Sequence, residues 1–128
     1  MVTDDFDGDG HLDALLVGND FGNEVLIGRY DALNGLLLRG DGKGGFTPMT
    51  IAQSGFYVPG DAKGLVRLAG PDGQPRYAAT QNRGPLRVFQ PRKPVRLVRL
   101  QPLDTVAELT HADGRSQREE LPYGSSFY

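Results

Sequence analysis

Four aspartates recur near the head of the chain, in Asp5-Phe6-Asp7-Gly8-Asp9-Gly10-His11-Leu12-Asp13, the pattern D-x-D-x-D-G-x-x-D. Carboxylates at alternate positions of a tightly wound loop converge on one point, and an all-oxygen donor set selects a hard cation. Calcium takes roughly six to eight oxygens at about 2.3–2.6 Å. Gly8 and Gly10 permit the φ values that such winding requires. The expected ligands are the side chains of Asp5, Asp7 and Asp9, the backbone carbonyl of His11 and the carboxylate of Asp13, with Phe6 and Leu12 turned away into the sheet. Without a cation, carboxylates this close repel one another. Asp and Gly also make ordinary turns, but three alternating aspartates followed by a fourth exceed what a turn needs. Magnesium fits less well, because it favours fewer carboxylates and retained waters. An EF-hand would need a bidentate Glu at the twelfth position and flanking helices. Leu16 stands there, inside a strand-like run.

No other constellation suggests catalysis. Ser54, Ser116, Ser125 and Ser126 lack a nucleophile elbow, and no glycine-rich loop leads into a helix. His111 precedes a turn, and Tyr57, Tyr77, Tyr123 and Tyr128 read as packing or surface residues. An acid pair for glycoside hydrolysis stays open, because sequence carries no distances. Arg39-Gly40-Asp41 spells the cell-adhesion tripeptide, yet all three are ordinary residues around a hairpin turn. Arg83, Arg87, Arg92, Lys93, Arg96 and Arg99 form a basic run. It could meet a polyanion such as nucleic acid or an acidic glycan, although a solvated face of edge strands explains it more simply, and nucleic acid is not expected.

Short apolar runs broken by Gly, Asp, Asn and Pro must position the loop, and they read as all-β with tight turns. A buried strand is expected after the loop, at Leu15–Asn19, and a hairpin at Leu36–Arg39 and Phe46–Met49 around Gly40–Gly45. Val25-Leu26-Ile27 is too short to classify. A second unit repeats the plan, with strands at Gly64–Leu68, Tyr77–Thr80 and Leu86–Phe89. Aligning the two puts Asp72-Gly73 opposite the Asp9-Gly10 region and Asn82 near Asn19, with the acidic ligands gone, so one ion is expected. A break at Pro91–Pro94 precedes a strand at Val95–Leu100 and a last hairpin, Ala107–Thr110 and Gln117–Leu121, around Asp113-Gly114-Arg115.

Charge is distributed unevenly over the 128 residues. Up to Asp61 ten acids face three bases, and beyond it eleven bases face six acids, which suggests separate roles or mutual attraction. The chain has no cysteine, so disulfides and thiolate metal sites are excluded. No apolar run approaches the roughly 20 residues of a membrane helix, and no signal-peptide pattern is present.

At the loop Asp5–Asp13, the strand Leu15–Asn19 and the hairpin Gly40-Asp41-Gly42-Lys43-Gly44-Gly45-Phe46, the chain resembles the FG-GAP/VCBS repeat family of integrin-α-like β-propeller blades. The run Gly28–Gly35 is similar to a segment of large bacterial proteins of the cartilage acidic protein group with an ASPIC/UnbV tail. The resemblance implies an all-β fold: an incomplete β-propeller of about two blades followed by a small C-terminal β-hairpin region. Residues 1–60 would form a calcium-loop blade, 61–91 a degenerate blade, and 92–128 the C-terminal part. It further implies structural calcium, an extracellular or cell-envelope location, and adhesion or surface assembly. The expected function is a calcium-stabilised, non-enzymatic binding or scaffold module, a fragment of a larger propeller. Its partners would be the rest of that propeller, further copies of itself, or a protein or glycan ligand. The rival expectations are a polyanion binder and a non-catalytic part of a carbohydrate-active enzyme.

Overall fold

The computed structural model describes residues 1–95, 101, 103–110, 114 and 116–121. Arg96, Arg99, most of the strand expected at 95–100, His111, Asp113, Arg115, Tyr123, Ser125, Ser126 and Tyr128 lie outside the described residues. The described chain is all-β with one short helix, and none of its antiparallel sheets closes into a barrel. It falls into two compact units, Met1–Leu97 and Val98–Tyr128.

The first unit holds two sheets. One is a four-stranded meander of β1 (Val2–Asp4), β2 (Asp13–Leu16), β3 (Leu36–Gly40) and β4 (Phe46–Met49), in sequence order. The acidic loop is therefore the hairpin connection between β1 and β2, whose register closes at Asp4↔Asp13. Its central strand β2 is buried at Asp13, Ala14 and Leu15, which explains the absence of apolar–polar alternation in its sequence. The strand ends at Leu16, earlier than expected, because Asn19 is recruited elsewhere. Asn19 is buried, accepts from Leu33 N at 2.9 Å and donates to the Pro59 carbonyl at 3.2 Å.

The β3–β4 hairpin forms as expected, and its turn shows why. Asp41 Oδ1 accepts from the backbone N–H groups of Lys43 (2.7 Å) and Gly45 (2.8 Å), an Asx turn that reverses the chain without help from elsewhere. After β4, Thr50 and Gln53 make a reciprocal capping box on the single-turn helix α1 (Ile51–Ser54).

The second sheet is β5 (Asp61–Ala69), β6 (Pro75–Asn82) and β7 (Arg87–Phe89), again an antiparallel meander. The β5–β6 turn stands where the acidic loop stands between β1 and β2. Asp72 there accepts from Gln74 N and pairs with Arg76 at 2.7 Å. The core gathers Leu15, Phe56, Val58, Ala62, Tyr77 and Ala79, with Phe6, Leu37 and Phe89 packed against it. Phe6 meets Tyr77 edge to face at 4.9 Å between ring centroids, as its inward orientation predicted. Leu12 does not turn inward and is half exposed.

The acidic and basic stretches attract one another within this unit. Arg67 reaches Asp4 at 2.8 Å, Lys63 reaches Asp20 at 3.0 Å, and Lys93 donates to the Asp7 carbonyl at 2.7 Å. Tyr77 donates its hydroxyl to the same Asp4 oxygen at 2.6 Å, and burial followed by that carboxylate pushes the phenol pKa up.

The second unit contains the antiparallel pair β8 (Val106–Thr110) and β9 (Ser116–Glu120), where a hairpin is expected, each strand beginning one residue earlier. Glu108 stands opposite Arg118, a favourable cross-strand charge pair.

Candidate metal centre

Loop 5–12 winds around the side chain of Asp5. Its Oδ1 accepts from Gly8 N at 2.6 Å and Asp9 N at 3.2 Å, and its Oδ2 from Gly10 N at 2.9 Å. Gly10 takes a φ of 85°, a left-handed conformation that a side chain would oppose. Asp7 Oδ1 accepts from Asp9 N (3.1 Å), and Asp9 Oδ1 accepts from His11 N (2.9 Å). Each aspartate thus fixes the backbone two or more residues ahead, so the acid spacing and the loop geometry are one device.

Asp13 anchors the far end. It is only 1% exposed. Its Oδ2 accepts from Phe6 N at 3.0 Å and its Oδ1 from Gly40 N at 2.9 Å, tying the loop's start and the end of β3 to the first residue of β2. Gly40 must be glycine, because a Cβ there would run into the Leu12 carbonyl oxygen. Burial pushes the Asp13 carboxyl above its usual pKa. The two backbone N–H groups pull the other way, and the charges of Asp7 and Asp9 add to the rise.

Carboxylate oxygens of Asp5, Asp7 and Asp13 lie within 4.8 Å of one another. Two oxygens on opposite sides of one calcium ion stand about 4.6–5.2 Å apart, twice the bond length, so the spacing fits a shared ion. Hydrogen-bonded carboxylate oxygens keep lone pairs for a metal. Asp9 lies outside this trio. The His11 imidazole lies against Gly42 of the β3–β4 turn. Arg39 Nη1 stands 4.0 Å from Asp7 Oδ2, and Lys93 donates to the Asp7 carbonyl at 2.7 Å.

Other singled-out residues serve the scaffold. The Arg39-Gly40-Asp41 tripeptide is engaged inside the chain: Arg39 faces Asp7, Gly40 serves Asp13, and Asp41 shapes its turn. Sequence reading passed over Asp61, which is buried at the start of β5. Lys63 pairs with it at 2.7 Å and Asn82 donates to it at 3.1 Å. The hydrogen bond from Lys63 chiefly holds the Asp61 pKa down, against its burial. A Gly-Asp step before an apolar run was the available signal.

No family model matches the chain, and neither the curated proteins nor the solved structures yield a match.

Proposed function

We propose that the chain is a calcium-stabilised, non-enzymatic binding or scaffold module of an exported or cell-surface protein, built from blades of the FG-GAP/VCBS kind. The observation that carries the reading is the trio of Asp5, Asp7 and Asp13, whose oxygens lie within 4.8 Å of one another on a loop wound by its own aspartates. A calcium ion held there would neutralise the trio and tie the β1–β2 connection to the buried end of β2. Asp9 and the His11 carbonyl would complete the oxygen set. The blade reading is supported by strand order: a four-stranded antiparallel meander is the unit of a propeller, and β5–β6–β7 repeats its first three strands.

Thermal melting in chelator, in magnesium and in calcium tests the proposal. With a Kd on the order of 10⁻⁴ M, as in extracellular calcium modules, about 1 mM calcium adds about 1.4 kcal/mol. For a unit of this size that raises Tm by roughly 6–11 °C, and magnesium should raise it less. Identical melting in all three buffers would refute it.

A further inference from the structure

After β2 the chain projects a loop pinned at its base by paired backbone bonds between Asp20 and Tyr30, at 2.8 and 2.9 Å. At its tip Ile27 N and Gly28 N both donate to the Glu24 carbonyl, closing a tight turn. Val25 is 99% exposed, Leu26 97% and Ile27 59%, so three consecutive aliphatic side chains stand in water on an ordered turn. Contiguous exposed apolar surface of this kind marks a contact site. The turn also carries an acidic flank. Arg29 is folded back over the Phe21 ring at 4.9 Å, which leaves exposed Glu24 as the charge beside the aliphatic trio.

A receptor of matching chemistry lies in the same unit. A cavity of about 450 Å³ opens beside the acidic loop, walled by Phe6, Leu37, Phe56, Tyr77 and Phe89, with exposed Arg92 on its rim. Its volume lies in the range that accepts a small apolar group. The cavity is lined by Asp13 and Leu15 of β2, and the projecting loop leaves beyond that strand's end. Val25 and Leu26 are almost wholly exposed, so the tip does not fill its own chain's cavity.

We infer that the 24–28 turn of one copy seats its aliphatic tip in the Phe56–Phe89 cavity of a second copy, with Glu24 against Arg92 of that copy. Donor and receptor surfaces differ, so two copies satisfy the contact either reciprocally in a two-fold dimer or head to tail in a larger assembly. The cavity is also lined by Asp7 and Asp13 of the candidate ion site, but the calcium reading is tested by ion binding and this contact by association, so the two fail separately.

Sedimentation velocity of the full chain in calcium buffer, across a concentration series, tests it. The wild type should gain mass with concentration, to a dimer or beyond. Leu26→Asp should weaken association at least about tenfold, since it removes a buried leucine and buries a charge. Arg92→Glu should weaken it about two- to tenfold, and Glu24→Arg combined with Arg92→Glu should recover most of the loss. All these positions are exposed, so folding is preserved. A wild type monomeric throughout, a Leu26→Asp variant that associates like the wild type, or a charge swap without recovery would each overturn the inference.

Discussion

Replacing Asp13 by Asn separates two roles of one side chain. Asp13 is almost wholly buried, and each of its oxygens accepts a backbone N–H, from Phe6 and from Gly40. Asparagine keeps the shape but has one acceptor oxygen, so one N–H loses its partner and meets an amide NH₂. A buried donor left unpaired costs about 1–3 kcal/mol. The substitution also removes a charge that burial, Asp7 and Asp9 disfavour, which offsets part of that cost. In chelator the variant should therefore be less stable by about 1–2 kcal/mol. Calcium should then widen the gap. The wild type gains about 1.4 kcal/mol at about 1 mM calcium, whereas a site weakened about tenfold gains only about 0.4. Urea melts of both proteins, with chelator and with calcium, give the four stabilities required. Equal calcium increments in wild type and variant would remove Asp13 from the ion's ligands. Equal stabilities in chelator would refute the hydrogen-bond account.

Asp7→Asn should weaken calcium binding by about tenfold or more, near 1.4 kcal/mol, and Asp9→Asn should weaken it less, because Asp9 lies outside the close trio; calcium titrations of the two variants compare them. Gly40→Ala should destabilise the fold by about 1–3 kcal/mol, since the new methyl meets the Leu12 backbone and displaces the N–H that Asp13 accepts; denaturant melts measure the loss. Asp61 and Asp20 both have pKa values held below the usual 3.8, Asp61 chiefly by Lys63, and Asp20 by Gly22 N and then Lys63. Their contribution to stability is complete above the unfolded value and is lost as pH falls through the lowered folded values. Lys63→Met should flatten that acid-side loss in chelator melts, and an unchanged pH profile would show that the pairs contribute nothing.

Elements with local causes were legible in the sequence. The β3–β4 hairpin follows from Asp41 and its glycines, which make the turn within five residues. The acidic loop was legible for the same reason, since each aspartate bonds the backbone just ahead of it. The long-range half of the site was not. Asp13 could be listed as a ligand, but its bond to Gly40, 27 residues on, depends on β2 pairing with β3. The Tyr77–Asp4 bond spans 73 residues, and no local pattern announces it. Asp61 was hidden likewise, because a buried carboxylate at a strand start looks like a turn residue until Lys63 and Asn82 close around it. Leu12 departs from the inward direction that its apolar character predicts. The loop's winding turns it outward and spends its carbonyl on the close approach of Gly40.

Isothermal calorimetry of calcium into the chelator-stripped chain tests the central claim most directly. The expected result is one site per chain with a Kd on the order of 10⁻⁴ M, unchanged in Asp72→Ala, where the matching turn carries an Arg76 pair and no trio, and lost in Asp5→Asn combined with Asp7→Asn. No heat beyond dilution, or an undiminished titration in that double variant, would contradict it.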